Sequence, residues 1–118
     1  MKSEPSAKPL TPAVFYILLA LATGKKHGYE IMKQVNRDAN GQVKMGNGTL
    51  YGSLKRMLDD KLIQPAGDAL DTAQDDERRI YYELTDLGQR AFHAELERYA
   101  QVVSLTRKYK LVARRSSK

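Results

Sequence analysis

Hydrophobic positions recur along this chain with two periods, and the change from one to the other marks out its elements. Residues 1–9 hold two lysines, two serines and two prolines and no apolar cluster, so a disordered tail is expected. Thr11 before Pro12 is a favoured helix start, a capping hydroxyl followed by a residue whose missing N–H costs nothing there. Val14, Ile17, Leu18 and Leu21 follow at helical spacing, with a stop near Gly24. A second helix is predicted from His27–Gly28, with Tyr29, Met32, Val35 and Ala39 as its buried face and Lys33 and Arg37 outside. Asn40–Gly41 reads as its C-terminal turn, and Val43 to Met45 as one short strand. A third helix starts at Asn47 or Gly48. Leu50, Leu54, Met57 and Leu58 share one side; Gly48, Thr49, Gly52, Lys55, Arg56 and Asp59 lie roughly opposite. Glycine inside a helix costs about 1 kcal/mol relative to alanine. Gly52 is therefore either a tolerated weak spot or a place where something must come close.

The rhythm then shortens. Leu62 to Pro65 reads as a strand ending on proline, and Arg79 to Leu84 alternates, with Ile80, Tyr82 and Leu84 on one face. A polar loop from Ala66 to Glu77, with five acidic residues, joins them. Thr85 is the expected cap of a long last helix. Phe92, Leu96, Tyr99 and Val103 form one apolar stripe on it; Val102, Leu105, Tyr109 and Val112 form a second. So long a stripe either folds back on its own domain or meets a second copy of the chain, and a domain this small favours the second copy. The expected fold is mainly α with a small β-hairpin (α+β). It divides into a winged helix-turn-helix domain over 10–84, a dimerisation helix over 85–113 and a basic tail over 114–118.

Composition narrows the chemistry. The 118 residues suit one domain, with 42% hydrophobic and 29% charged positions. A net charge of +6 and a pI of about 9.6 favour polyanions, but do not choose between DNA, RNA and an anionic membrane surface. There is no cysteine, hence no disulfide and no thiolate metal site, which fits a cytoplasmic location. The longest apolar stretch, Ala13 to Ala22, is too short to span a membrane. His27 and His93 stand far apart, so no metal site is expected, and His27 is expected to cap or pack. No nucleophile–base–acid set and no cofactor motif appear, and Gly46–Asn47–Gly48 is only a turn before a helix. An enzyme is not expected.

Four segments in register carry a family resemblance. Leu10 to Ala20 followed by His27–Gly28–Tyr29–Glu30–Ile31 resembles the opening of PadR-type transcriptional regulators. Gly48–Thr49–Leu50–Tyr51 with Leu54, Arg56 and Met57 resembles that family's recognition helix, and Leu62–Ile63 the strand after it. Arg78–Arg79–Ile80–Tyr81–Tyr82–Glu83–Leu84–Thr85 with Gly88 resembles its second wing strand and the entry to its last helix. The resemblance implies a homodimer with its two domains in successive major grooves of a palindromic operator. It also implies repression, released in many relatives by a small molecule, and the compact branch with a single C-terminal helix. Two departures stand out: acidic Asp75, Asp76 and Glu77 precede the basic wing residues, and the chain lacks tryptophan, which in some compact relatives stacks on flat drugs.

With duplex DNA as the expected partner, chemistry nominates the contacts. Arg56 is the candidate base reader, since guanidinium grips guanine bidentately, with a solvated helix charge as the alternative. Thr49 and Tyr51 offer hydroxyls to phosphates, although Tyr51 could equally be a half-buried core residue. Lys44 and Lys55 suit phosphates, and Arg79 suits a phosphate or the minor groove. The candidate dimer interface is Phe92, Leu96, Tyr99 and Val103, and a candidate small-molecule effector pocket lies by Phe92, Leu96 and Tyr99 between the last helices. The competing function is a winged-helix protein-interaction module that has lost specific DNA binding.

Overall fold

Thr11 caps the first helix, α1 (Pro12–Ala22), its hydroxyl accepting the Val14 N–H at 3.2 Å. In the computed structural model, which describes residues 9–66 and 80–111, α1 is the centre of the molecule. It is apolar nearly all round, and such a helix is stable only when surrounded. Phe15, Ile17, Leu18, Ala20 and Leu21 are all buried. Each large side chain removed from water contributes on the order of 1.5–3 kcal/mol.

The second helix, α2 (Gly28–Ala39), begins on a reciprocal cap. His27 Nδ1 accepts the Glu30 N–H at 3.4 Å, and the Glu30 carboxylate accepts the His27 N–H at 3.1 Å. His27 thus caps, and its ring also packs edge-on against Tyr81, 5.2 Å away. The helix ends at Asn40 in the left-handed conformation, φ 51°. Its buried face is Gly28, Ile31, Val35 and Ala39, with Met32 partly buried. Tyr29, expected inside, is 58% exposed. At 3.6 residues per turn Tyr29 lies about a third of a turn from Val35, off the buried face, and Ile31, one turn before Val35, takes the inward position instead.

No strand forms at Val43–Met45. The Asn36 side chain satisfies both polar backbone groups of Met45, accepting its N–H at 2.8 Å and donating to its C=O at 3.0 Å. With those groups bonded, Met45 needs no ladder partner, and the turn enters α3 (Asn47–Asp59) directly. The missing strand is β1 (Lys26–His27), two residues long and so without a readable period. It pairs antiparallel with β3 (Tyr81–Leu84), which also pairs antiparallel with β2 (Ile63–Pro65), giving the order β1-β3-β2. Ile63 faces Leu84 and Pro65 faces Tyr82. Pro65 lies on an outer strand, where its missing donor is tolerated. The connecting acidic loop, with Arg78 and Arg79, lies outside the described residues.

The last helix, α4 (Asp86–Lys108), is capped by Thr85, whose hydroxyl accepts the Gly88 N–H at 2.9 Å. Its first half belongs to the core: Gly88, Ala91, Phe92 and Glu95 are buried. Phe92, expected on the exposed stripe, stacks on Phe15 at 5.5 Å inside its own domain. The bare stripe begins only at Leu96 and runs through Tyr99, Val102, Val103, Leu105, Tyr109 and Leu111, each exposed by 38% or more. Val112 and the basic tail lie outside the described residues.

Candidate nucleic-acid interface

The third helix buries Leu50, Ser53, Leu54 and Met57, which fixes what it presents outward. Thr49, Tyr51, Gly52, Lys55, Arg56 and Asp59 are all exposed. Its cap is Gly46, which supplies no side-chain bond, and the first helical backbone bond runs from Leu50 N–H to Gly46 C=O at 2.9 Å. The N–H groups at the helix start therefore point at solvent with the positive end of the helix dipole. A Cβ built on Gly46, Gly48 or Gly52 would meet nothing within 4 Å. Among the described residues no packing explains Gly52, and the surface there is open.

Charge sits beside that opening. Arg56 is exposed, and no side-chain partner holds its guanidinium among the described residues. Lys55 lies 3.9 Å from Asp59, both well exposed. Such a pair is weak and readily exchanged for a phosphate. Lys44 is exposed on the turn that Asn36 clamps, and Arg37 is exposed on α2. Lys33, also on α2, lies over the Tyr29 ring at 5.4 Å. Arg79 is outside the described residues, so the structure unites five of the six nominated positions around α3 and the turn before it.

Tyr51 is neither fully buried nor free of the fold. It is 52% exposed, yet its hydroxyl lies against the start of α2, where a Cβ on Gly28 would come within 2.7 Å of it. A side chain at position 28 would therefore displace the Tyr51 ring from the start of α2. Burial, with Tyr51 nearby, pushes the Tyr82 phenol above its ordinary value.

Two residues of consequence escaped the pattern reading. Asn36 stands among polar helix positions with no rhythm to betray it. Glu95, 2% exposed, accepts the Arg98 guanidinium at 2.8 Å and the Leu10 N–H at 3.4 Å, and bonds the Tyr99 hydroxyl. Burial alone would raise its pKa, but the bonds from Arg98, Tyr99 and Leu10 outweigh burial and hold it below the usual carboxylate value. An acid one turn after Phe92, on the stripe itself, was the available signal.

Near the bare stripe, Tyr99 meets Phe15 edge-on at 5.2 Å. Phe92 lines a shallow cleft of about 420 Å³ with Leu21, Ala22, Glu83, Leu84, Gln89 and His93. Leu96 and Tyr99 do not line it. Among the described residues no group of three His, Asp or Glu could hold a metal, and no helix is long and apolar enough to cross a membrane.

Comparison with known proteins agrees with this fold. A PadR family transcription regulator from Clostridium difficile R20291 is 24% identical over 84% of this chain and 98% of its own, with a TM-score of 0.64. A transcriptional regulator from Clostridium thermocellum is 23% identical over 82% and 88%, with a TM-score of 0.62. RosR from H. salinarum is 21% identical over 89% and 97%, with a TM-score of 0.63. At these identities the likeness is one of fold. No curated protein sequence matches significantly. The profile of the PadR-like regulators, however, matches residues 17–94, which hold α3, the sheet and the packed half of α4. The chain belongs to the transcriptional regulator PadR-like family, and its winged helix is that of a DNA-binding regulator of transcription.

Proposed function

We propose that this protein is a homodimeric repressor that reads a palindromic operator with α3. The observation that carries the reading is the outer face of α3: open at Gly48 and Gly52, cationic at Lys55 and Arg56, and unexplained by any contact among the described residues. Arg56 reads a base edge, Thr49 and the free N–H groups at the start of α3 hold phosphates, and Lys44, Lys55 and Tyr51 add backbone contacts. Arg79, outside the described residues, is assigned a phosphate or minor-groove contact on its sequence alone. Residues 10–84 with the packed half of α4 form the reading unit. The stripe of Leu96, Tyr99 and Val103, backed by Phe92, meets its counterpart in a second copy. A planar effector would enter between those helices beside Phe92, Leu96 and Tyr99.

The test is a gel shift with duplex from upstream of the protein's own coding region, at low and moderate salt, with Arg56→Ala alongside. A specific shift that weakens in the variant supports the reading. Equal binding to all duplexes removes sequence specificity from it. Absence of binding at low salt leaves the interaction module, for which the acidic residues Asp75, Asp76 and Glu77 speak.

A further inference from the structure

The exit of α3 and the entry of α4 are locked together. After Asp59 the chain turns through Lys61, held at φ 66°, with Lys61 N–H bonded to Leu58 C=O at 3.0 Å and Leu62 N–H to Met57 C=O at 2.9 Å. Thr85 grips this turn twice. Its backbone N–H donates to Leu62 C=O at 3.1 Å, and its hydroxyl donates to Lys61 C=O at 2.6 Å, with Leu62 C=O 3.1 Å away. The same hydroxyl oxygen accepts the Gly88 N–H that opens α4. One side chain therefore caps α4 and holds the exit of α3. Gly88 closes the contact: a Cβ there would lie 2.0 Å from the Leu62 carbonyl oxygen, so the first turn of α4 rests directly on backbone.

We propose that Thr85 and Gly88 are positioning residues for DNA recognition: they set the angle between α3 and α4, and through it the half-site separation that the dimer accepts. This rests on the dimeric operator-reading function proposed above. Within a twofold dimer joined through α4, the distance between the two α3 helices follows from that angle in each protomer. The leverage is large. A tilt of about 10° over a helix of about 30 Å displaces its far end by about 5 Å, more than the rise of about 3.4 Å per base pair. The contact is built of backbone carbonyls, which leave the turn little freedom to adjust.

The chain has no cysteine, so Asp59→Cys on α3 and Gln101→Cys on α4, both exposed, admit a pair of spin labels. With labelled protein diluted into unlabelled protein, the distance distribution reports the angle without DNA. It should be narrow in the parent and in Thr85→Ser, and broad in Thr85→Val, which keeps the shape but loses the hydroxyl. Gel shifts against palindromes that differ in half-site spacing by single base pairs supply the second readout. A preference for one spacing should be lost in Thr85→Val and restored in Thr85→Ser. A folded Thr85→Val with a narrow distribution, or with an unchanged spacing preference, overturns the proposal. Should that variant not fold, amide exchange in the parent decides: the Leu62, Thr85 and Gly88 amides must exchange as slowly as those of α1, and faster exchange overturns it. Failure of the parent to bind any duplex sinks the regulator reading, while the label distances still judge the lock.

Discussion

Among the described residues two surfaces are left bare, and they are opposite in chemistry. The outer face of α3 is small and cationic, with glycines that none of the described residues approaches. The far half of α4 is a row of exposed leucine, valine and tyrosine side chains. Each is incomplete in its own way. A cationic face with free backbone N–H groups is complete against a polyanion, whose phosphates replace the lost hydration. An apolar row is complete only against another apolar surface. The comparison teaches that one domain can present two unlike faces because its core is packed around α1, behind both.

The largest expected effect breaks the apolar side. Under the proposed function, Val103→Asp should convert the dimer to a monomer in sedimentation and lower palindrome affinity by about 10²-fold or more, because two linked half-sites bind far better than one. Melting temperature at high protein concentration should fall with the dimer. A stable dimer in this variant would refute the assignment of the stripe.

Arg56→Ala attacks the other face. Losing one bidentate base contact should cost about 1–3 kcal/mol of discrimination, read as relaxed preference at one operator position. The oligomeric state should not change.

The border between the regions runs through Glu95, and acid tests it. A carboxyl held below its ordinary value favours the folded state while ionised. Its contribution is whole above the ordinary carboxylate range. It fades as pH falls from there towards the lowered folded value. Glu95→Gln should therefore be less stable at neutral pH and lose part of the acid dependence of melting; an unchanged acid profile would count against the network.

Gly52→Ala separates the two demands on α3. With no described atom beyond its own helix turn within 4 Å, the added methyl should stabilise the fold by up to about 1 kcal/mol while weakening DNA binding. Stabilisation with full DNA affinity would mean that the duplex does not come close there. Smallest is Lys55→Ala, which should weaken binding to all sequences alike and reduce the slope of log affinity against log salt by about one. A sequence-selective loss would instead make Lys55 a base reader.

Much of this was legible from the chain. The caps at Thr11 and Thr85, the stop at Asn40–Gly41 and the inward residues Leu50, Leu54 and Met57 follow from local physics. Capping and helical period act within a few residues. The nominated cations of α3 were legible for the same reason: once its apolar side is known, its outer side is known. Tyr29, the Lys26–His27 strand and Asn36 were not. Strand pairing of two residues has no period, and a side chain that clamps a turn nine positions away leaves no local mark.

By itself, then, the sequence determined the four helices, the two later strands, their order and the basic face of α3, because these depend on neighbours a few positions apart. Only the tertiary structure decided that α1 would be surrounded and that Phe92 would stack on Phe15 while Leu96 stayed bare. It also placed Thr85 where one hydroxyl holds the exit of α3 and the entry of α4. Those outcomes depend on which surfaces meet across the fold, and the free energy of such contacts is set by shape and burial between segments far apart in the chain.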